Sequence, residues 1–176
     1  FIEAATAEGV GSGAAHLLSG HSQYHQQLEE ALAAFTGQQR VLLFSSGYQA
    51  NLGVIDGLLA RGDTVIQDKL NHASLLDGGR LSVATQTRYL HSDMSALAYR
   101  LQQEKGNGHR LVVSDGVFSM DGDLAPLPDL LALAKTHKAA VLIDDAHGFG
   151  VLGDHGKGCL EHWAIPLENQ PIVMGT

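Results

Sequence analysis

Short apolar runs alternate along this chain with stretches of helical periodicity. Five runs are bounded by turn residues: VLLF at 41–44, TVI at 64–66, LVV at 111–113, VLI at 141–143 and IVM at 172–174. Runs of this length are typical of strands that are buried on both faces of a parallel sheet. Each run is therefore predicted to form one strand.

Between the runs, apolar residues recur with the spacing of one helix face. Three sets at positions i, i+3, i+4 and i+7 predict helices, and they begin at Leu28, Met94 and Leu127. Pro128 suits the first turn of the last helix, where its missing N–H is not needed. Strands that alternate with helices predict an α/β fold with a mostly parallel sheet flanked by helices. No linker or repeat is visible, so residues 1–176 are expected to form a single domain.

The run at 141–143 ends in two carboxylates, Asp144 and Asp145, and His147 follows in a turn flanked by glycine. Ligands of open α/β sheets bind at the carboxyl ends of such strands. A buried aspartate there needs a cationic partner or several donors, because an unpaired buried charge is costly. A protonated pyridine nitrogen is one such partner. The side chain of Asp145 is expected to point to the opposite face of the strand.

The amino-acid composition disfavours several classes of protein function. The 11 Lys and Arg against 19 Asp and Glu give a net charge of −8, which disfavours a nucleic-acid binder. No apolar stretch approaches the roughly 18 residues that a membrane span requires. The single cysteine, Cys159, cannot form an internal disulfide, so a cytoplasmic location is expected. No particular histidine is tied to Cys159, which argues against a nucleophilic role.

Residues 9–20 are glycine-rich, and Gly9, Gly11 and Ala14 formally match a dinucleotide-binding fingerprint. That fingerprint requires a strand before it, whereas the preceding residues 1–9 look helical. A glycine-rich loop whose backbone approaches a ligand or a partner chain closely is the favoured interpretation. A nucleotide-binding module that uses this loop is kept as an alternative hypothesis.

Three loops carry further candidate residues. Ser45 and Ser46 stand at a predicted strand-to-helix turn, which is typical of a phosphate cradle or of an ordinary serine cap. His72 begins an apolar helix, where a histidine is a cap, a packed surface residue or an aromatic plate stacked on a heteroaromatic ring. Ser119 follows the carboxyl end of the strand predicted at 111–113.

No metal site is predicted. His21 and His25 have i, i+4 spacing, but the H-E-x-x-H pattern of zinc enzymes is absent. Asp121 and Asp123 lack the further acidic ligands of a calcium loop, so they are interpreted as solvated turn carboxylates.

Five strings occur in order along the chain: SGHSQYHQQLE, LLFSSGYQAN, LNHASLLDG, SDGVFSMDGDLAPL and IDDAHGFGVLGDHGKG. Together they resemble the α-oxoamine synthases, which are pyridoxal-phosphate (PLP) enzymes of the aspartate aminotransferase fold. The resemblance covers essentially all 176 residues. It implies the central part of the large PLP-binding domain, and both ends look truncated, so an internal segment of a longer protein is expected.

The resemblance also implies a role for each matching position. His72 would stack on the pyridine ring, and Asp144 would pair with its protonated nitrogen. His147 and Ser119 would hydrogen-bond the phenolic oxygen. The catalytic residues implied in this chain are thus His72, Asp144 and His147.

Gly47 and Tyr48 would hold the cofactor through the loop backbone, with the Tyr48 ring beside it, and Thr176 would bind its phosphate. In the family's Thr-x-x-Lys motif, the essential lysine lies three residues after this threonine, beyond the residues given. None of the lysines present has that context; they are Lys69, Lys105, Lys135, Lys138 and Lys157. The parent protein is expected to be an enzyme, and the segment alone is expected to be inactive. A non-catalytic PLP-binding protein is the alternative.

Within the family, the Asp-Asp-Ala-His-Gly form and residues 9–25 most resemble members that condense L-alanine with a pimeloyl thioester in biotin synthesis. The acyl donor would be a coenzyme A or carrier-protein thioester. Rival members join glycine to acetyl-CoA, and their histidine string usually reads Asp-Asp-Ser-His-Ala. At residues 14–16 the chain departs from its relatives, which leaves the acyl pocket and dimer contact open. The resemblance further implies a homodimer with shared active sites.

Overall fold

The computed structural model describes residues 1–103 and 108–176, so Lys105 lies outside the described residues. The backbone divides into two compact units, Phe1–Leu43 and Phe44–Thr176. Within the described ranges, no helix combines the length and apolar character that crossing a membrane would require.

The first unit is helical. It contains α1 (Ile2–Glu8), a π-helical turn at His16–Gly20 and α2 (Gln23–Thr36). The side chain of His25 accepts a hydrogen bond from the backbone N–H of Ser22 (3.0 Å), which satisfies a donor at the start of α2. Helix α1 confirms that a helix, and not a strand, precedes the glycine-rich loop. The predicted helix containing Leu28 is also confirmed.

The second unit alternates strands and helices. In chain order, its elements are α3 (Gly47–Leu58), β1 (Thr64–Asp68), α4 (Ala73–Leu81), β2 (Thr85–Tyr89), α5 (Met94–Gln103), β3 (Arg110–Asp115), α6 (Leu127–Thr136), β4 (Ala140–Asp144), α7 (Cys159–His162), a 3₁₀ turn (Leu167–Asn169) and β5 (Ile172–Met174). All neighbouring strands are parallel, in the order β2-β1-β3-β4-β5. The predicted α/β fold and mostly parallel sheet are confirmed.

The sheet is covered on both faces, as its apolar runs require. Val65, Val113 and Leu142 pack on one face with residues of α3 and α4. Ile66 and Ile143, on alternate positions, face the other way and pack with residues of α5 and α6. This alternation assigns a face to each residue near the strand ends.

The observed strands differ from the predicted ones at two places, where one expectation was wrong and one strand was missed. The run at 41–44 is not a strand, because none of the backbone hydrogen bonds among the described residues joins it to a partner, and a strand needs such a ladder. Conversely, β2 (TQTRY) was not predicted. It lies at the sheet edge and only Tyr89 is buried, so its sequence lacks the apolar signature of a central strand.

Parallel pairing brings the carboxyl ends of the strands to one edge of the sheet. Asp115 at the end of β3 is in register with Asp144 at the end of β4, and Asp144 is in register with Met174 of β5. Polar residues far apart in the sequence therefore meet along this edge.

Candidate functional site

Asp144 ends β4, between β3 and β5 at the carboxyl edge of the sheet, and is only 6% exposed. Its Oδ2 accepts a hydrogen bond from Nδ2 of Asn51 (2.7 Å), and its Oδ1 accepts one from the backbone N–H of Ala146 (3.1 Å). None of the salt bridges among the described residues includes Asp144. Its charge is thus supported only by neutral donors, and it can receive a cation.

Asn51 is a site residue that the sequence did not reveal. It is fully buried on α3 and donates to Asp144 and to Oγ of Ser74 (2.8 Å), while its Oδ1 has no hydrogen-bond partner among the described residues. Rotating the amide by 180° would set its oxygen against the carboxylate of Asp144. The observed orientation is therefore the favourable one.

His72 is the N-cap of α4, which was one of the alternatives left open. Its Nδ1 accepts a hydrogen bond from the backbone N–H of Ser74 (3.3 Å) and lies 2.7 Å from Oγ of Ser74. Because Nδ1 accepts from the backbone N–H of Ser74, it carries no proton, and the Ser74 hydroxyl therefore donates to it. Neutral His72 consequently carries its proton on Nε2, and its side chain is exposed. The stacking role of this ring stays a prediction.

A continuous path of hydrogen bonds thus links two of the predicted site residues. It runs from Asp144 through Asn51 and Ser74 to His72. The path fixes the ring of His72 relative to the carboxylate, because each intermediate side chain is bound at both ends.

Asp115 stands beside Asp144 and accepts a hydrogen bond from the backbone N–H of His72 at both oxygens (3.2 and 3.1 Å). Burial raises the pKa of Asp115 to about 7, against the lowering effect of the His72 N–H, and the nearby charges of Asp144 and Asp68 add to the increase. Asp115 therefore exchanges its proton near neutral pH.

The start of α3 forms a second part of the site. Ser46 caps the helix by accepting a hydrogen bond from the N–H of Gln49 (3.2 Å), whereas the N–H groups of Gly47 and Tyr48 have no partner among the described residues. A Cβ on Gly47 would lie only 2.6 Å from Cγ2 of Thr176. Gly47 and Thr176, both predicted to bind the cofactor, are thus in direct contact, and free N–H groups at a helix start are suited to an anion.

Among the described residues, three other predicted site residues form no hydrogen bond to Asp144; they are Tyr48, Ser119 and His147. The hydroxyl of Tyr48 donates to Oδ2 of Asp77 (2.7 Å), which leaves its ring at the surface. Ser119 and His147 follow the carboxyl ends of β3 and β4, and their side chains are exposed. In the described part of the chain, neither side chain forms a hydrogen bond, so the structure does not join them to Asp144.

Asp145 points away from Asp144, as expected. Its Oδ2 accepts a hydrogen bond from the backbone N–H of Cys159 (2.8 Å), in the cluster that packs against the opposite face of the sheet. Burial raises the pKa of Asp145, and burial together with Asp145 raises that of the Cys159 thiol far above its usual value. Cys159 is thus buried in its thiol form, unlike a nucleophilic thiolate.

The prediction for Asp123 was wrong in one respect. It is not simply solvated, because its Oδ2 accepts a hydrogen bond from Nε2 of His91 (2.8 Å); Asp121 is exposed, as expected. No group of three or more His, Cys, Asp or Glu side chains within residues 1–103 and 108–176 could hold a metal ion.

Sequence comparison gives close relatives over the whole chain. It is 57% identical over 176 residues to 8-amino-7-oxononanoate synthase of Saccharophagus degradans and 60% identical over 168 residues to that of Stutzerimonas stutzeri. These alignments cover 100% and 96% of this chain. The chain spans only 44% and 42% of the length of these two relatives.

Solved structures of named enzymes also resemble this chain. Serine palmitoyltransferase (SPT) of Sphingomonas wittichii is 39% identical with a TM-score of 0.94, and a structure of SPT with PLP is 38% identical with the same score; each match covers 99% of this chain and 44% of the other. An 8-amino-7-oxononanoate synthase of Francisella tularensis is 32% identical, with a TM-score of 0.76 over 96% of this chain and 45% of its own.

These matches confirm both the predicted fold class and the resemblance to α-oxoamine synthases. In addition, the family model for aminotransferase class I and II matches residues 1–173. This chain belongs to the aminotransferase class I and II family.

Proposed function

We propose that this chain is the PLP-binding core of an enzyme that condenses L-alanine with a pimeloyl thioester, releases carbon dioxide and forms 8-amino-7-oxononanoate for biotin synthesis. The observation that carries the proposal is the buried carboxylate of Asp144, which neutral donors hold in place without a cation. The similarity to 8-amino-7-oxononanoate synthases supports the choice of reaction.

The described residues fit PLP at both of its ends. A protonated pyridine nitrogen supplies the cation that Asp144 lacks. The free N–H groups of Gly47 and Tyr48, with Thr176 in contact with Gly47, suit a phosphate. When bound, PLP supplies an electron sink for the bond changes at the α-carbon of the amino acid.

The side chains around Asp144 have distinct tasks in this proposal. Asp144 holds the proton on the ring nitrogen, and the N–H groups of Asn51 and Ala146 keep the carboxylate in place. His72, with its proton on Nε2, covers one face of the ring and excludes water from it. Ser119 and His147 donate hydrogen bonds to the phenolic oxygen.

The activity and the assembly belong to the whole protein. The Schiff-base lysine is proposed at the third position after Thr176, and a homodimer in the cytoplasm is proposed as the active form. The acyl donor is a thioester of coenzyme A or of an acyl carrier protein.

The test is a substrate panel with the intact protein and added PLP. L-Alanine with pimeloyl-CoA, glycine with acetyl-CoA and L-serine with palmitoyl-CoA are compared by release of free CoA and carbon dioxide. We expect the first pair to have the highest kcat/KM. Against glycine, one methyl group can contribute roughly 10- to 200-fold.

A faster reaction of either other pair would replace the proposed substrates and keep the reaction type. PLP binding without turnover of any pair would instead favour a non-catalytic PLP-binding protein.

A further inference from the structure

His91 forms the centre of a second polar cluster at the carboxyl edge. Its Nδ1 lies 3.0 Å from Oδ1 of Asp68, and its Nε2 lies 2.8 Å from Oδ2 of Asp123. Carboxylates accept hydrogen bonds, so with both carboxylates ionised each ring nitrogen must donate. The geometry therefore requires a doubly protonated imidazolium that bridges two charges.

One side of this bridge is anchored in the sheet. The side chain of Asp68, at the end of β1, is 1% exposed. Its Oδ1 also accepts from the N–H of Leu70, and its Oδ2 accepts from the N–H of Ser92, both at 2.8 Å. Asp68 thus holds the segment that leads into His72 as well as the turn that carries His91.

The other side of the bridge is a loop, residues 116–125, which carries Ser119. The loop is closed by three backbone hydrogen bonds: Phe118 N–H to Asp123 O (2.9 Å), Gly122 N–H to Phe118 O (2.8 Å) and Ala125 N–H to Gly116 O (3.0 Å). The ring of Phe118 meets that of His91 edge-on, with centroids 4.4 Å apart. Phe118 and Asp123, which belong to the same loop as Ser119, therefore contact His91.

We propose that His91 is a positioning residue which, by bridging Asp68 and Asp123, fixes the loop 116–125 and hence Ser119 relative to the segment that leads into His72. The role assigned to Ser119 rests on the proposed function, whereas the bridge itself does not.

The bridge depends on pH. Burial lowers the pKa of His91, but the hydrogen bonds and charges of Asp68 and Asp123 outweigh it, and the net pKa is raised. Asp115 also acts on His91 once it ionises, at about pH 7, and Tyr89 beside Asp68 stays neutral because burial raises its pKa far above the usual value. Stabilisation by the bridge is therefore complete below the ordinary histidine pKa of about 6.5 and is lost as pH rises through the raised value.

Hydrogen exchange of the intact protein as purified tests the bridge. Protection factors of the peptide covering residues 116–125 are measured from pH 5.5 to 9, after correction for intrinsic exchange. The main variant is Asp123→Asn, because this partly exposed side chain can change without disturbing the core. Asp121→Asn is the matched control, since it removes a carboxylate from the same loop without a described partner.

In Asp123→Asn we expect loop protection to fall at least tenfold at pH 6 and to lose its decrease toward alkaline pH. Asp121→Asn should behave as the wild type, and His91→Asn should reproduce the Asp123→Asn result while protection of β3 persists. Wild-type loop protection in Asp123→Asn would overturn the proposal, as would equal effects of the two loop variants.

A PLP titration of the same proteins separates this proposal from the proposed function. We expect Asp123→Asn to bind PLP more weakly than Asp121→Asn. If the wild type does not bind PLP, the proposed function fails and the exchange result for the bridge stands. If hydrogen exchange of residues 116–125 is unaffected in Asp123→Asn while the wild type binds PLP, only the proposal for His91 is contradicted.

Discussion

The amide of Asn51 lies 2.7 Å from the carboxylate of Asp144, although 93 positions separate the two residues in the sequence. The same amide group reaches Ser74, which in turn contacts His72. Asn51 is thus the junction between the proposed partner of the ring nitrogen and the residue proposed to cover the ring.

Asn51→Ala should weaken PLP binding by the intact protein roughly ten- to a hundredfold, the usual value of a hydrogen bond to a charged group. Spectrophotometric titration with PLP measures the effect. Asp56→Ala, at an exposed position of the same helix, is the control, and thermal unfolding shows whether either variant is folded. Unchanged PLP affinity in a folded Asn51→Ala protein would contradict the assigned role.

Asp144→Ala and Asp145→Ala form a pair that separates the two faces of the sheet. Asp144→Ala should lower kcat by orders of magnitude, because nothing then holds the proton on the ring nitrogen. Asp145→Ala should instead lower the free energy of unfolding by about 1–3 kcal/mol, because the buried N–H of Cys159 loses its acceptor. Steady-state kinetics and urea unfolding of both variants make the comparison. Activity of Asp144→Ala within a few-fold of wild type would refute its assignment.

Gly47→Ala should weaken binding of PLP at least tenfold, because the new Cβ would lie 2.6 Å from Cγ2 of Thr176 and 3.2 Å from Sδ of Met174. Gly57→Ala is the matched control on the same helix, since a Cβ there meets nothing within 4 Å. It should bind PLP normally and be stabilised by roughly 0.5–1 kcal/mol through helix propensity. Equal PLP affinity of the two variants would contradict the assignment of a phosphate site to the start of α3.

Ionisation of Asp115 should lower the free energy of unfolding of the PLP-free protein as pH rises. The pKa of Asp115 is raised in the folded state to about 7, so the folded protein retains a proton that the unfolded chain has lost. The resulting stability is complete below the ordinary aspartate pKa of about 3.9 and is lost as pH approaches and passes 7. Asp115→Asn should abolish this component, while its side-chain oxygen can still accept from the N–H of His72.

Urea unfolding of wild type and Asp115→Asn between pH 4 and pH 8 isolates the titration of Asp115 together with its coupling to Asp144 and Asp68, because carboxylates that do not interact with Asp115 contribute equally to both proteins. The free energy of unfolding of Asp115→Asn relative to wild type should increase toward pH 8, by at most roughly 4 kcal/mol. A gain that does not change with pH would show that Asp115 titrates normally.

The sequence predicted the central strands because burial on both faces leaves an apolar signature. It failed for β2, whose polar residues lie at the edge, and for the run at 41–44, which has the signature without a described partner strand. A hydrophobic pattern reports that a segment prefers burial and does not report which strand pairs with it.

The candidate site was predictable only where short strings carried it. Asp144 and His72 stand in such strings, and the structure joins them. Asn51 also stands in such a string, at the end of LLFSSGYQAN, but its role was not assigned, because Asn51 and His91 act through residues such as Asp144, Asp68 and Asp123 that lie tens of positions away. The pairing of strands determines such contacts, and it becomes visible only in three dimensions.

The surroundings of Asp145 have a consequence for how this sequence can evolve. A Cβ at Gly116, Gly148 or Gly158 would overlap or crowd its carboxylate oxygens. Substitutions at these three positions are therefore not independent of residue 145. Shortening Asp145 would remove the closest overlap at Gly148, so that the nearest atom to a Cβ there would be Sγ of Cys159 at 2.9 Å, whereas a lineage that kept Asp145 would continue to reject alanine at this position. The effects of mutations at these four positions, which span 43 residues, are therefore not additive, and whether a substitution at one of the glycines is tolerated depends on whether residue 145 has changed first.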